Sequence, residues 1–179
     1  MRKVAVIGLL IAGLGLGFFI ENQKIAINFL LEYGGRFPEF FSLSVAEKMT
    51  WVEAWKAERV ADYFFAHSTP AWLYTLDYSG LVGVKWILAL LAILVFTALN
   101  LGIIQLSFSQ VKITRYAALF LATLLVLCGG IFVLGKVFHS AGFYAVAREL
   151  LGGLQSLVPL MILFPAAWLL PRFQQNQPL

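Results

Sequence analysis

The sequence has one cysteine, Cys128, and few charged residues, which make up 12 % of its 179 positions. A single cysteine excludes a disulfide framework and a thiolate metal site within the chain. Residues of the AVILMFWYC set reach 61 %, whereas a soluble domain has roughly 45–50 % even when glycine is included. A water-soluble fold of this length could not bury so much apolar surface. A disordered chain would have a much lower proportion of apolar residues. Composition therefore predicts an integral membrane protein.

Asp and Glu are missing from four long apolar runs, which cover about residues 4–20, 86–106, 116–135 and 150–170. A helix needs ~17–25 apolar residues to cross the hydrocarbon core, and none of the runs alternates as a membrane-barrel strand does. We therefore predict an all-α protein with four transmembrane helices and an external amphipathic helical segment between the first and second. The predicted parts are an N-terminal anchor (1–20), an external aromatic-rich helical subdomain (21–80) and a three-span membrane domain (81–179).

Acidic residues are also missing from one set of connecting segments. All nine lie in residues 21–85 and 136–149, whereas five cations lie in segments without any acid. Those five cations are Arg2, Lys3, Lys112, Arg115 and Arg172. Short cytoplasmic loops are enriched in Lys and Arg, so we predict a bacterial inner-membrane protein with both termini in the cytoplasm. No basic run exceeds two residues, and the net charge of +4 gives no reason to expect a nucleic-acid partner.

The first apolar run lacks a signal-peptidase site. Met-Arg-Lys before an apolar stretch is typical of a secretory signal, but no Ala-x-Ala site follows and residues 17–20 are bulky. We therefore expect an uncleaved anchor.

The segment 21–80 contains too many large apolar groups to be a flexible tail. Lys24, Asn28 and Glu32 repeat every four residues, which predicts an amphipathic helix that continues from the first span. Its opposite face consists of Ile25, Phe29 and Leu30. The pair 34–35, two glycines, and the proline at 38 should end this helix.

A second external helix is predicted from residue 45 to about 66. Ser44 and Glu47 have the spacing of a capping box, which marks its start. Its predicted apolar face consists of Val45, Met49, Val52, Val60, Tyr63 and Phe64. Its predicted polar face consists of Lys48, Glu58, Arg59 and Asp62.

Four of the five tryptophans lie between residues 51 and 86, a distribution typical of a membrane–water interface. Trp51, Trp55 and Arg59 follow one another at intervals of four along the second external helix. Three interpretations stay open for this segment. It is a pair of helices packed over the bundle, a docking surface for another membrane protein, or a contact for a sugar or lipid headgroup.

No catalytic, metal or cofactor site is predicted. Cys128, His139 and Arg148 are the one set that suggests nucleophilic catalysis, but His139 is eleven positions after Cys128, which corresponds to ~16 Å of helix rise. A thiolate needs a base or cation within hydrogen-bond reach. His67 and His139 lie in separate loops without metal-ligand spacing, and no acidic residue at membrane depth indicates an ion path.

A few small or polar residues inside the apolar runs indicate helix packing. Gly13 and Gly17 are four apart, a spacing that lets two helix backbones approach closely. Asn100 has the chemistry to hydrogen-bond across helices. Pro159 and Pro165 each remove a backbone donor, so the fourth span should kink or start late.

The last third of the chain resembles a known family. The run FYAVARELL at residues 143–151, followed by Gln155 and by PLMILFPA at 159–166, is similar to the C-terminal signature of small exosortase-associated integral membrane proteins. The order of features agrees as well, with an anchor, an external segment and three further spans, the first of which is the second span of the chain and carries Asn100. The external segment is long for this group. The resemblance implies a non-catalytic companion of a polytopic sorting transpeptidase.

Together these patterns predict a non-catalytic accessory, assembly or scaffolding subunit of a larger bacterial membrane complex, with a polytopic protein and membrane lipids as partners. The alternative is a small membrane enzyme or lipid-binding protein that uses a groove beside the external helices. The residues predicted to contact a partner or lipid are Gly13, Gly17, Trp51, Trp55, Arg59, Asn100, Arg148 and Pro159.

Overall fold

The computed structural model describes residues 2–58, 69–108 and 110–175, with side chains for all of these except 55–58 and 170–175. Over these ranges the chain is all-helical and contains no strand, as the sequence predicted. The six α-helices are α1 (Arg2–Arg36), α2 (Val45–Glu58), α3 (Tyr78–Phe108), α4 (Val111–Val137), α5 (Ala141–Leu154) and α6 (Val158–Gln175). Two 3-10 helices, Pro38–Ser42 and Ala71–Thr75, lie before and after α2.

Three helices, α1, α3 and α4, are long and apolar enough to cross a membrane. The pair α5 and α6 meets the same requirement together but is bent by 66° at the break between the two helices. The described part of the chain therefore has three such helices, or four spans if the bent pair crosses as one.

The break corrects the single fourth span that the sequence predicted over residues 150–170. Helix α5 begins at Ala141, and residues 155–157 separate it from α6. Pro159 occupies the first turn of α6, where a missing N–H removes no intrahelical bond. The late start that the prolines predicted is thus observed, and Pro165 lies within α6.

Contacts divide the chain into two compact units, which are Met1–Gly17 with Leu91–Leu179, and Phe18–Leu90. The first unit has a buried apolar cluster from α3, α4, α5 and α6 that includes Ile104, Leu121, Cys128 and Leu163. The second unit has its own cluster around Phe29, Leu30, Phe40 and Leu73.

In the second unit the C-terminal part of α1 has the faces that the sequence predicted. Phe29 and Leu30 are buried, whereas Asn28 and Glu32 are exposed. Helix α1 runs without a break to Arg36, directly before the 3-10 helix Pro38–Ser42. The two glycines and the proline therefore mark its end, as predicted.

Helix α2 begins with the predicted capping box. The backbone N–H of Ser44 donates to Glu47 Oε2 at 2.9 Å, and the Ser44 hydroxyl donates to the same oxygen at 2.6 Å. The N–H of Glu47 in turn donates to Ser44 Oγ at 3.4 Å. Because these bonds favour the carboxylate, they lower the pKa of Glu47.

The predicted apolar face of α2 is confirmed at Val52, which is buried, and is wrong at two other positions. Val45 and Met49 are exposed, whereas Lys48, assigned to the polar face, is buried together with Val52. Lys48 is buried because its ammonium group reaches the carbonyl oxygen of Tyr74 at 3.1 Å and its stem fills the core. The remaining predicted members of both faces, Val60, Tyr63, Phe64, Arg59 and Asp62, lie outside the described residues, as does the side chain of Glu58.

Candidate functional site

Gly13 and Gly17, predicted as packing positions, both face side chains of their own unit. A Cβ atom on Gly13 would meet the Leu157 side chain at 3.0 Å, and one on Gly17 would meet the tip of the Phe96 ring at 3.4 Å. In contrast, a Cβ on Gly8 or Gly15 would meet nothing within 4 Å. The face of α1 with Gly13 and Gly17 therefore packs against other residues of the unit, whereas Gly8 and Gly15 face open space.

Asn100 lies at the break between α5 and α6. Its side chain is 0 % exposed, and its Nδ2 donates to the carbonyl oxygen of Ser156 at 3.2 Å. Its Oδ1 is buried without a hydrogen-bond partner in the described part of the chain. Asn100 thus supplies a donor to backbone that has left the helical ladder, which is the role the sequence predicted for a polar residue at membrane depth.

Ser156 organises the break locally. Its hydroxyl donates to the carbonyl oxygen of Gly153 at 2.6 Å and accepts the backbone N–H of Val158 at 3.1 Å. One serine therefore satisfies groups at the end of α5 and at the start of α6, where a helix end leaves backbone groups without partners. Pro159, three positions after Ser156, is buried.

Arg148 and its neighbour Glu149 lie on the exposed side of α5. Their side chains are 72 % and 78 % exposed, and Arg148 Nη2 contacts Glu149 Oε1 at 3.4 Å. Ala147, the residue before them, is buried. Helix α5 packs along α4, and Arg148 is seven residues from its start, which corresponds to about 10 Å of helix rise.

The turn from α4 to α5 has a well-defined geometry. The N–H of Ser140 donates to the carbonyl oxygen of Gly135 at 3.0 Å, and the N–H of His139 donates to that of Lys136 at 3.4 Å. These are the two bonds of a Schellman motif, in which a left-handed residue ends a helix. His139 takes that position with a φ of 50°. The backbone is crowded here, since a Cβ on Gly135 would come within 3.1 Å of the Tyr144 nitrogen.

The structure describes only part of the predicted series of Trp51, Trp55 and Arg59. Trp51 is exposed and contacts Phe37 edge to face, with ring centroids 6.5 Å apart. Trp55 belongs to α2 by its backbone, but its side chain is not among those described, and Arg59 lies outside the described residues. The predicted series of Trp51, Trp55 and Arg59 therefore stays a prediction.

Within the described residues no three His, Cys, Asp or Glu side chains come together as a metal site. Cys128 is buried in the apolar cluster of the first unit, whereas His139 lies in the turn after α4.

Sequence reasoning did not identify the groups that lie at the two ends of α5. Glycine usually takes the left-handed position at the end of a helix. Because histidine takes it here, the sequence did not indicate this helix end. The prolines predicted that the fourth span starts late, but not that Asn100, which is remote in sequence, donates to Ser156 in the break. A readable signal did exist for the start of α3, where Asp77 accepts the N–H of Gly80 at 2.7 Å and the hydroxyl of Ser79 at 3.0 Å, an N-cap pattern.

Comparison with protein-family profiles, with curated proteins and with solved structures gave no match for this chain.

Proposed function

We propose that the protein is a non-catalytic accessory or scaffolding subunit of a larger complex in the bacterial inner membrane, and that α5 is the helix that meets its partner. The observation that carries this proposal is the exposed pair of charged side chains, Arg148 and Glu149, on an otherwise apolar helix. The sequence predicted Glu149 just before the fourth apolar run, but α5 begins at Ala141, so both residues belong to the bent helix pair that is apolar enough to cross a membrane. Charged residues within membrane segments are rare because they are costly in lipid, and they almost always face protein or a water-filled cavity.

The surface around this pair suits a helix of another protein. Gly142, Ala145 and Gly152 are exposed and lie at intervals that place them on one side of α5 together with Glu149. A Cβ on Gly152 would meet nothing within 4 Å. Small residues let a second helix approach closely, and hydrogen bonds then act at short range in lipid.

Large apolar side chains flank the same surface. Phe143, Val146 and Leu150 are exposed on α5, so a partner helix would gain dispersion contacts beside the charged pair. A polytopic partner with a complementary carboxylate or cation at this depth would pair with Arg148 or Glu149 and remove both from lipid. Because the residues concerned belong to the run FYAVARELL, the partner would be a sorting transpeptidase if the family resemblance holds.

The experiment compares two neutralised ion pairs by copurification from native membranes in a mild detergent. Arg148→Gln with Glu149→Gln should abolish copurification of a polytopic membrane protein while the abundance of the chain stays unchanged. The matched control is Glu21→Gln with Lys24→Gln, an ion pair at 3.3 Å on α1, which should leave copurification intact. A photo-crosslinking residue at Ala145 should join the chain to the same protein.

The proposal is wrong if wild-type protein copurifies no polytopic partner, or if the Arg148 and Glu149 variant retains the partner as fully as the control does. A crosslink from Ala145 that contains lipid alone would favour the alternative lipid-binding role.

A further inference from the structure

A groove of about 520 Å³ lies at the turn between α4 and α5, apart from the surface around Arg148. It is lined by Gly135, Lys136, His139, Ser140, Ala141 and Tyr144. Because α4 is one of the helices long and apolar enough to cross a membrane, its end belongs at the level of the lipid headgroups.

Lys136 gives the groove a positive charge that the described part of the chain does not neutralise. Its ammonium group lies 5.6 Å from the centre of the Phe132 ring, and no carboxylate among the described residues forms an ion pair with it. The side chain is exposed at the mouth of the groove. A cation in this position attracts a phosphate group.

His139 adds an imidazole ring with two nitrogen atoms. Its backbone has a positive φ, a conformation that glycine would adopt at lower cost. Glycine completes a Schellman motif without the steric penalty of a side chain. The motif therefore does not require an imidazole, and the side chain that occupies the position lines the groove.

Ser140 precedes α5 but its hydroxyl makes no capping hydrogen bond. The first N–H groups of a helix have no partner within the helix and favour an anion. Ser140 and Lys136 both line the groove, so one ligand can contact both side chains.

The surroundings of the groove are apolar. Val133, Val137 and Phe138 are exposed along the end of α4. A free phosphate ion would make no use of them, whereas a phospholipid would lay its acyl chains against them while its phosphate contacts Lys136. We propose that this groove binds the phosphate headgroup of an anionic phospholipid, with Lys136, His139 and Ser140 as the polar contacts.

The test uses the full chain in a mild non-ionic detergent, with native mass spectrometry to count retained lipids as dioleoyl phosphatidylglycerol or phosphatidylcholine is added. Phosphatidylglycerol should bind about fivefold more tightly than phosphatidylcholine, the ratio expected for one surface cation. Lys136→Gln should remove that preference. The matched control Lys112→Gln, an exposed cation at the other end of α4, should keep it.

A second variant separates recognition from folding. His139→Gly should leave the melting temperature unchanged or raise it, because glycine adopts a positive φ freely, while phosphatidylglycerol affinity falls severalfold. The proposal is overturned if the two lipids bind equally to wild type, if Lys112→Gln matches Lys136→Gln, or if neither groove variant changes affinity. Displacement of the lipid by millimolar inorganic phosphate would instead assign a site for free phosphate.

Discussion

The amide nitrogen of Asn100 donates to the backbone carbonyl oxygen of Ser156 at 3.2 Å, across 56 positions of sequence. This bond joins α3 to the break between α5 and α6. Leu157, the next residue of the break, lies against Gly13 of α1. Helices α1 and α3 therefore both contact the break between α5 and α6, and Asn100 supplies a donor for a carbonyl group that has left the helical hydrogen-bond ladder.

Asn100→Leu should destabilise the chain by about 1 kcal/mol, the scale of hydrogen bonds between membrane helices. The loss is limited because the substitution also removes the buried Oδ1, which has no partner in the described part of the chain. The measurement is unfolding in mixed micelles with increasing SDS. Thr123→Val, which removes only a bond within α4 to Leu119, serves as control and should have a smaller effect. Equal effects of the two variants would contradict a special role for Asn100.

Gly13→Leu should lower both the abundance and the unfolding stability of the chain, whereas Gly15→Leu should not. At Gly13 even a Cβ comes within 3.0 Å of Leu157, while Gly15 faces open space. Overpacking of this kind costs about 1–3 kcal/mol. The two variants share one helix and one residue type, so hydropathy is matched. If Gly15→Leu lowered abundance as much, the contact with Leu157 would not explain the loss.

Features that depend on neighbours in sequence were predictable, and features that depend on remote contacts were not. Ser44 and Glu47 are three residues apart, and their reciprocal bonds follow from local geometry. The burial of Lys48 follows from the position of Tyr74, 26 residues away, and the periodicity of α2 contains no information about it. Residues 150–170 contain no charged side chain, and their prolines predicted a kink or a late start. The sequence did not indicate that Asn100, 56 positions away, donates to Ser156 in the break.

The exosortase-associated resemblance and the predicted roles of Gly13, Trp51 and Arg148 stay predictions, because sequence patterns report on the chain and not on what it contacts. Arg148 illustrates the limit. Its position within an apolar helix is readable from sequence, but the structure was needed to show that its side chain stays 72 % exposed although α5 packs along α4.

Lys48→Ala should destabilise the second unit by about 2 kcal/mol, because it removes buried stem atoms as well as the bond to Tyr74. Lys48→Met should cost less, since it keeps a stem of similar length and removes a buried cation. Thermal unfolding of the purified chain provides the measurement. Met49→Ala is the control, because Met49 was predicted to be buried and is exposed, and it should change stability by less than about 0.5 kcal/mol. A larger loss for Met49→Ala than for Lys48→Ala would restore the sequence-based face.

Asp77 should make the stability of the chain depend on acidic pH. The N–H of Gly80 and the hydroxyl of Ser79 hold the pKa of its carboxyl below the ordinary value. A group with a lowered folded pKa stabilises above its unfolded pKa, and that contribution is lost as pH falls through the folded pKa. Asp77→Asn keeps an acceptor oxygen but does not titrate. The wild type should therefore lose its advantage in melting temperature over Asp77→Asn below about pH 4; an advantage that stays constant would contradict the assignment.

The bent pair α5 and α6 should cross the membrane as one broken span. Their 14 and 18 residues rise about 21 and 27 Å, more together than a hydrocarbon core of about 30 Å requires even with the bend. Arg172, near the end of α6, favours a cytoplasmic position for this end of the helix.

In a Cys128→Ala background, single cysteines at Ser42 and Ser140 should react with an impermeant reagent added outside, whereas cysteines at Lys112 and Gln174 should react only after the inner membrane is opened. Cysteine at Gln174 is the deciding position, because a re-entrant pair would return it to the side of Ser140. Labelling of Gln174→Cys from outside, with Lys112→Cys still protected, would reduce the chain to three spans and place its C-terminus outside the cell.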